Sequence, residues 1–261
     1  DIAMTKSASG SYEALLIGSG NRAHPLDRVV KNRFFMIRDT GIQSALHVPN
    51  DGDPDSDACA DGGLNPDGLP CAEEPPVITI SDLYDATDNV IQDGDSTSQE
   101  TARAELRSSK GWFIELERTG EKSLSRSITL QGRVFFTTFV PPDPLDPELD
   151  YICRPSEGQG FLYAIGLHDA TAQYDWSGQT ILDELADEGS GEIDKLDRSK
   201  AIRDHIPDHP SVYFGDEIGL VGVGPGTDGT GIERTGLTLG VSPVCWMQEL
   251  DCCWMQELDC Q

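Results

Sequence analysis

The sequence predicts an all-β chain of mostly antiparallel strands, and three observations carry that expectation. Short runs rich in aromatic and β-branched residues recur along its 261 residues. They are bounded by Gly, Pro and Asp, and the 27 glycines and 16 prolines supply turns between them. Helical spacing is confined to two short stretches, Ser98–Ser108 and Lys195–Arg203.

Taken in order, strands are expected at Tyr12–Ile17, Arg33–Arg38, Trp112–Leu116, Ser125–Leu130 and Arg133–Phe139, with Gln131-Gly132 turning between the last two. Phe161–Leu167, Ile218–Val223, Glu233–Leu239 and Val244–Glu249 have the same character. Alternation along these strands would bury Leu16, Phe35, Ile37, Ile114, Phe136, Tyr163 and Trp246. In Ser98–Ser108, Gln99 and Glu100 precede the Ala102, Leu106 spacing of a short capped helix. Few strand signals occur between Arg38 and Gly111, and compact domains seldom contain so long a structureless connection. Residues 40–110 are therefore expected to form a decorated insertion within a single segment spanning 1–261.

Charge excludes further classes. Asp and Glu number 46 against 19 Lys and Arg, a formal charge of -27, and no basic stripe offers a footprint for nucleic acid. The longest apolar runs, such as Ala14–Ile17 and Val134–Phe136, fall far short of the roughly 20 residues that span a bilayer, so no membrane span is expected. Neither a charged n-region nor an apolar h-region follows Asp1, and any signal peptide is expected to have been removed or to lie upstream.

The seven cysteines, Cys59, Cys71, Cys153, Cys245, Cys252, Cys253 and Cys260, contain no CxxC pair and no nearby His at zinc spacing. Disulfides in an oxidising compartment are the expectation. Cys59 and Cys71 bracket an acidic Gly/Pro loop and are expected to pair, while the partners of the other five stay open. The tail repeats itself: Cys245–Cys252 recurs residue for residue as Cys253–Cys260. Eight residues are too few for a solenoid repeat of about 20 to 50, so the first copy is expected to be a closing strand and the second its duplicate.

One segment has the residue types of a cation site. Asp51, Asp53, Asp55, Asp57 and Asp61 place carboxylates at near-alternate positions, as a calcium loop requires, since hard cations take six to eight oxygens. Ser56 stands where such a loop turns on Gly, and Gly62 where a Glu would close it. Two readings stay open, a calcium site and a solvated acidic loop, and the two missing residues weigh toward the second.

Catalytic patterns are wanting. The sequence has no G-x-S-x-G elbow and no H-E-x-x-H, and His24, His47, His168, His205 and His209 do not cluster at ligand spacing. Pro207 separates His205 from His209, so these two cannot share a regular helix face. Gly222-Val223-Gly224-Pro225-Gly226 lacks the Lys-Ser/Thr of a phosphate loop. The chain is expected not to be an enzyme. Trp112 and Trp246 sit in strand patterns as core anchors, whereas Trp176, between Asp175 and Ser177, is a candidate ligand contact.

A set of blocks resembles a known family. Leu15-Leu16-Ile17-Gly18-Ser19-Gly20-Asn21-Arg22-Ala23-His24-Pro25-Leu26, followed by Asn32-Arg33-Phe34-Phe35-Met36-Ile37-Arg38-Asp39, is similar to the C-terminal β-propeller region of the PilC/PilY family of type IV pilus tip-associated adhesins and assembly factors. Asp82–Thr87, Gly111–Leu116, Gly120–Ser125, Val134–Phe139, and Cys153 ahead of Gly160–Ile165 look like later family blocks in the same order. The resemblance covers roughly residues 12 to 250. It implies a partial β-propeller of antiparallel four-stranded blades, with a long insertion and short helices. A blade takes about 40 to 50 residues, which leaves three or four blades and no closed ring.

The family's own calcium loop would precede Gly18-Ser19-Gly20 and so lie ahead of residue 1, and that role is not carried onto Asp51–Asp61. The resemblance further implies minor pilins and the pilus tip as partners, a host or abiotic surface as the adhesive target, and an extracellular or cell-surface location reached through the periplasm. Two alternatives remain: a quinoprotein-dehydrogenase-like propeller enzyme, and a secreted calcium-binding module unrelated to pili.

Overall fold

The computed structural model describes residues 1–7, 10–40, 77–143, 158–176, 193–214, 218–221 and 232–237. The chain is mostly β, as expected. Its first sheet has the order β1 (Ile2–Ser7), β2 (Gly10–Gly18), β3 (Arg33–Asp39), β5 (Gly111–Glu115), β4 (Tyr84–Asp85). All pairings in it are antiparallel except the short one between β4 and β5. The second sheet is an antiparallel meander of β6 (Ile128–Leu130), β7 (Arg133–Val140), β8 (Gln159–Gly166) and β9 (Ser199–Arg203). A third meander joins β10 (Ser211–Phe214), β11 (Ile218–Val221) and β12 (Ile232–Leu237). No sheet among the described residues closes on itself.

The first two sheets share one core. Tyr12, Ala14 and Leu16 of β2, Phe34 and Met36 of β3, and Trp112 and Ile114 of β5 meet Val134, Phe136, Tyr163 and Ile165 of the second sheet. The Phe34 and Phe136 rings stack at 3.8 Å, and Phe136 stacks on Tyr163 at 4.6 Å. Trp112 is fully buried, and its indole N–H donates to the Leu167 carbonyl at 3.0 Å, so its one polar atom is satisfied. Each of these large side chains contributes about 1.5–3 kcal/mol by leaving water. The opposite face of the second sheet is covered as well, with Phe135 and Ala164 packed by Ile128, Leu130, Tyr174, Trp176 and Val212.

Burial departs from the alternation expected for β3. Phe34 and Met36 face the core, whereas Phe35 and Ile37 are half-buried on the outer face beside Leu15, Ile17 and Phe113. The cross-strand register decides this, since Phe34 lies opposite Ile114 and Met36 opposite Trp112. Leu16, Ile114, Phe136 and Tyr163 are buried as expected. Val244–Glu249 and Trp246 lie outside the described residues.

Helical content needs one correction. Ser96–Ser108 forms a helix, α2, slightly longer than expected; Asp95 caps it by accepting from the Thr97 and Ser98 amides, and Ala102 and Leu106 face inward. A four-residue helix α1 (Val90–Asp93) precedes it. In Lys195–Arg203 only Lys195–Arg198 winds, as a single 3-10 turn capped by Asp194, and Ser199–Arg203 pairs with β8 as strand β9. The free edge of β8 satisfies those backbone groups in a way that sequence periodicity cannot register. Ser125–Leu130 shortens to β6, and β1, β4 and β10 join the expected strands. The turn at Gln131-Gly132 is present with φ of 51° and 75°, the paired positive angles of a tight hairpin.

Candidate functional site

Three separated pieces of sequence converge where β2 ends and β3 begins. Gly120–Ser125, between β5 and β6, runs alongside Gly18-Ser19-Gly20. The Ser123 amide donates to the Ser19 carbonyl at 3.0 Å, and Asn32 Nδ2 donates to the Glu121 carbonyl at 2.9 Å. Ser19 Oγ accepts from the Arg33 amide at 2.7 Å and donates to Asn32 Oδ1 at 3.3 Å. Only glycine fits the contact. A Cβ on Gly18 would overlap the buried Ser123 side chain, and one on Gly20 would lie 2.7 Å from the Ser123 carbonyl oxygen.

The residues between these glycines and β3 leave the sheet as a loop that its own side chains shape. Asn21 Oδ1 accepts from the Ala23 amide and Asp27 Oδ1 from the Val29 amide, which are two Asx turns. Arg28 pairs with Asp143 at 2.8 Å and donates to the Pro142 carbonyl. Lys122 anchors the loop from below. It is 2% exposed and its ammonium donates to the carbonyls of Pro25, at 2.7 Å, and Asp27. Burial pushes the Lys122 pKa down, against the pull of the Asp27 charge.

On the other side of the same backbone step, Glu121 points into the core. Its carboxylate accepts from Thr138 Oγ1 at 2.6 Å, Tyr163 OH at 2.9 Å and Arg118 Nη1 at 3.1 Å. Arg118 also donates to Ser199 Oγ at 2.8 Å and lies over the Phe161 ring at 3.8 Å. Burial, then the neighbouring Glu121 charge, raises the Tyr163 pKa far above its ordinary value, so the phenol stays a proton donor.

Arg118, Tyr163 and Ser199 open onto a cleft of about 280 Å³ that Glu115, Glu117, Lys195 and Arg198 also line. Lys195 pairs with Glu117 at 2.9 Å and Asp88 at 3.4 Å, and Arg33 pairs with Glu115. Arg198, 4% exposed, donates to the carbonyls of Ala86 and Thr87 and to Asn89 Oδ1, and burial lowers its pKa to about 10. Its donors tie the 3-10 turn ahead of β9 to the segment after β4. The charged groups here hold elements together, and the Tyr163 hydroxyl is committed to Glu121 instead of being poised as a base.

Asp51, Asp53, Asp55, Asp57 and Asp61 lie outside the described residues, as do Cys59, Cys71 and the other five cysteines. Among the described residues no group of three or more His, Cys, Asp or Glu could hold a metal ion. Trp176 stacks on Tyr174 at 5.8 Å, and its amide donates to Asp197 Oδ1, so it covers the second sheet in place of an open ligand platform. His209 contacts Asp208 and Arg126, and His168 contacts Tyr12 and Thr5. Glu121 and Lys122 were not singled out by sequence reasoning, because a Glu-Lys pair between turn residues has the look of a solvated surface. Only their position after Gly120 within a recognised block marked them.

No family model matches the chain. No curated protein matches it either. Among solved structures it is similar to the Pseudomonas aeruginosa PilY1 C-terminal domain, at 10% identity and a TM-score of 0.45, over 85% of this chain and 42% of that one. The chain thus spans less than half the length of that structure.

Proposed function

We propose that the chain is a non-enzymatic interaction module of the type IV pilus tip, a propeller-like segment that supports pilus assembly and adhesion outside the cell. The observation that carries this reading is the meeting of the quoted blocks. Gly18-Ser19-Gly20 and Asn32-Arg33, at the two ends of the β2–β3 loop, interlock through specific hydrogen bonds with Gly120–Ser125, about a hundred residues later, where the five-stranded sheet meets the four-stranded meander. The contact of Gly120–Ser125 with the other two is what a single architecture built from these blocks would produce, and it supports the reading.

The test is purification of the native protein from its own cells under mild conditions, with identification of what accompanies it. Stoichiometric minor pilins, and loss of surface pili when the gene is deleted, support the proposal. A protein that purifies free of pilins, in a strain that keeps its surface pili when the gene is deleted, refutes it. The quinoprotein alternative is decided by an absorbance scan of the same preparation for a bound quinone.

A further inference from the structure

The loop between β2 and β3 presents its apolar residues to solvent. Val29 is 89% exposed, Leu26 64% and Val30 56%, although each is large enough to be stabilised by burial. Exposed apolar residues on a loose loop would be unremarkable, but this loop is held rigidly. The buried Lys122 ammonium clamps two of its carbonyls, two Asx turns set its bends, and Arg28 is tied to Asp143.

The loop's charge runs against that of the chain. From Asn21 to Lys31 there are three cations, Arg22, Arg28 and Lys31, against the single carboxylate of Asp27, in a protein of net charge -27, and of these Arg28 is paired with Asp143. Beside it, Arg22 and Arg126 line a groove of about 560 Å³ together with the Asp208–His209 pair, and hydrogen bonds from His209 and, less, the Arg22 charge lower the Asp208 pKa. Among the described residues neither of these guanidiniums is in a salt bridge: Arg22 donates to the Leu124 carbonyl, and Arg126 contacts His209 Nε2. Lys31, 80% exposed at its side chain, makes a long ion pair with Glu115 at 3.7 Å, which that exposure leaves weak.

We propose that the loop from Asn21 to Lys31 is a docking finger for a partner protein whose surface offers an apolar depression rimmed by carboxylates. Leu26, Val29 and Val30 enter the depression. Arg22, Arg126 and Lys31 meet the rim, so carboxylates of the partner gain cations that the rest of this chain would repel. Rigidity in the free state removes the ordering cost that a mobile loop would carry on binding. A protein fits better than an anionic membrane, because three side chains bury too little for stable insertion and a chain of this charge is repelled by a uniformly negative surface. The inference is independent of the pilus reading, since the partner is defined by its chemistry.

The experiment selects peptides from a random displayed library on the whole chain and measures their affinity by fluorescence anisotropy. The expected peptides combine Asp or Glu with Leu, Phe or Trp. Their binding weakens about tenfold or more on Val29→Asp and on Leu26→Asp, and weakens with added salt less steeply on Arg22→Glu. Val29→Ser serves as a milder variant, and an unchanged melting temperature for each shows that the fold is kept. Peptides that bind these variants as they bind the original chain, cationic peptides, or no enriched peptide would overturn the proposal. Val29-dependent capture of the chain by phosphatidylglycerol vesicles, with no peptide binding, would overturn it in favour of a membrane.

Discussion

Replacing Glu121 with Gln tests whether its buried carboxylate fastens the segment after β5 to the second sheet. The substitution preserves shape and removes the charge. It also places an amide that can donate among Thr138 Oγ1, Tyr163 OH and Arg118 Nη1, all of which donate to Glu121 now. Breaking a buried pair by removing one partner costs about 3–5 kcal/mol, chiefly by leaving the other charge uncompensated. The Arg118 side chain is 37% exposed, so water takes up part of its charge and the lower end, about 3 kcal/mol, is expected. For a chain of this size that loss corresponds to a fall of about 6 to 12 °C in melting temperature. Urea unfolding followed through Trp112, which is fully buried in the same core, measures it directly. Glu115→Gln is the control, because the Glu115 and Arg33 side chains are 25% and 32% exposed and such pairs contribute under about 1 kcal/mol. A Glu121→Gln loss no greater than that of the control would refute the fastening role.

Gly18→Ala should destabilise by about 1–3 kcal/mol in the same assay, because its Cβ overlaps the buried Ser123 side chain. Gly132→Ala, with φ of 75° and nothing within 4 Å of the new Cβ, should cost only about 1 kcal/mol from backbone strain. The raised Tyr163 pKa gives stability that is present below pH 10 and is lost as pH rises beyond it, since only the unfolded chain then ionises this phenol. Tyr163→Phe should therefore flatten the fall of stability above pH 10 by about 1.4 kcal/mol per pH unit, and a wild-type slope in the variant would contradict the burial argument. Calcium should leave the melting temperature unchanged, and EDTA likewise, if Asp51, Asp53, Asp55, Asp57 and Asp61 form a solvated loop; a calcium-dependent rise would make them a site.

Much of the strand content was legible because local chemistry and tertiary demand agree. Tyr12–Ile17, Arg133–Phe139 and Phe161–Leu167 are dense in β-branched and aromatic residues, and β2, β7 and β8 contain them. Gln131-Gly132 announced its turn through Gly132, which takes a positive φ without strain, and the tight hairpin holds Gln131 at a positive φ as well. The helix α2 was visible through its Ala102, Leu106 spacing. Of the docking loop only Asn21–Leu26 falls in a block of the resemblance, and nothing in Asn21–Lys31 says which of its apolar residues will stay exposed.

Local propensity accounts for an acidic, turn-rich chain of short strands, with glycines at positions where the backbone must turn or lie close to another segment. Tertiary structure alone decided three things. It chose the buried face of β3, because Phe34, Phe35, Met36 and Ile37 are all apolar and period two cannot rank two apolar faces; the register against Trp112 and Ile114 does. It turned Ser199–Arg203 from helix to strand, because the free edge of β8 lay beside it. It placed Glu121 and Lys122 in the interior, because a charge can be buried only where partners from elsewhere in the chain meet it. Tyr163, Thr138, Arg118, Pro25 and Asp27 meet these two charges only after folding.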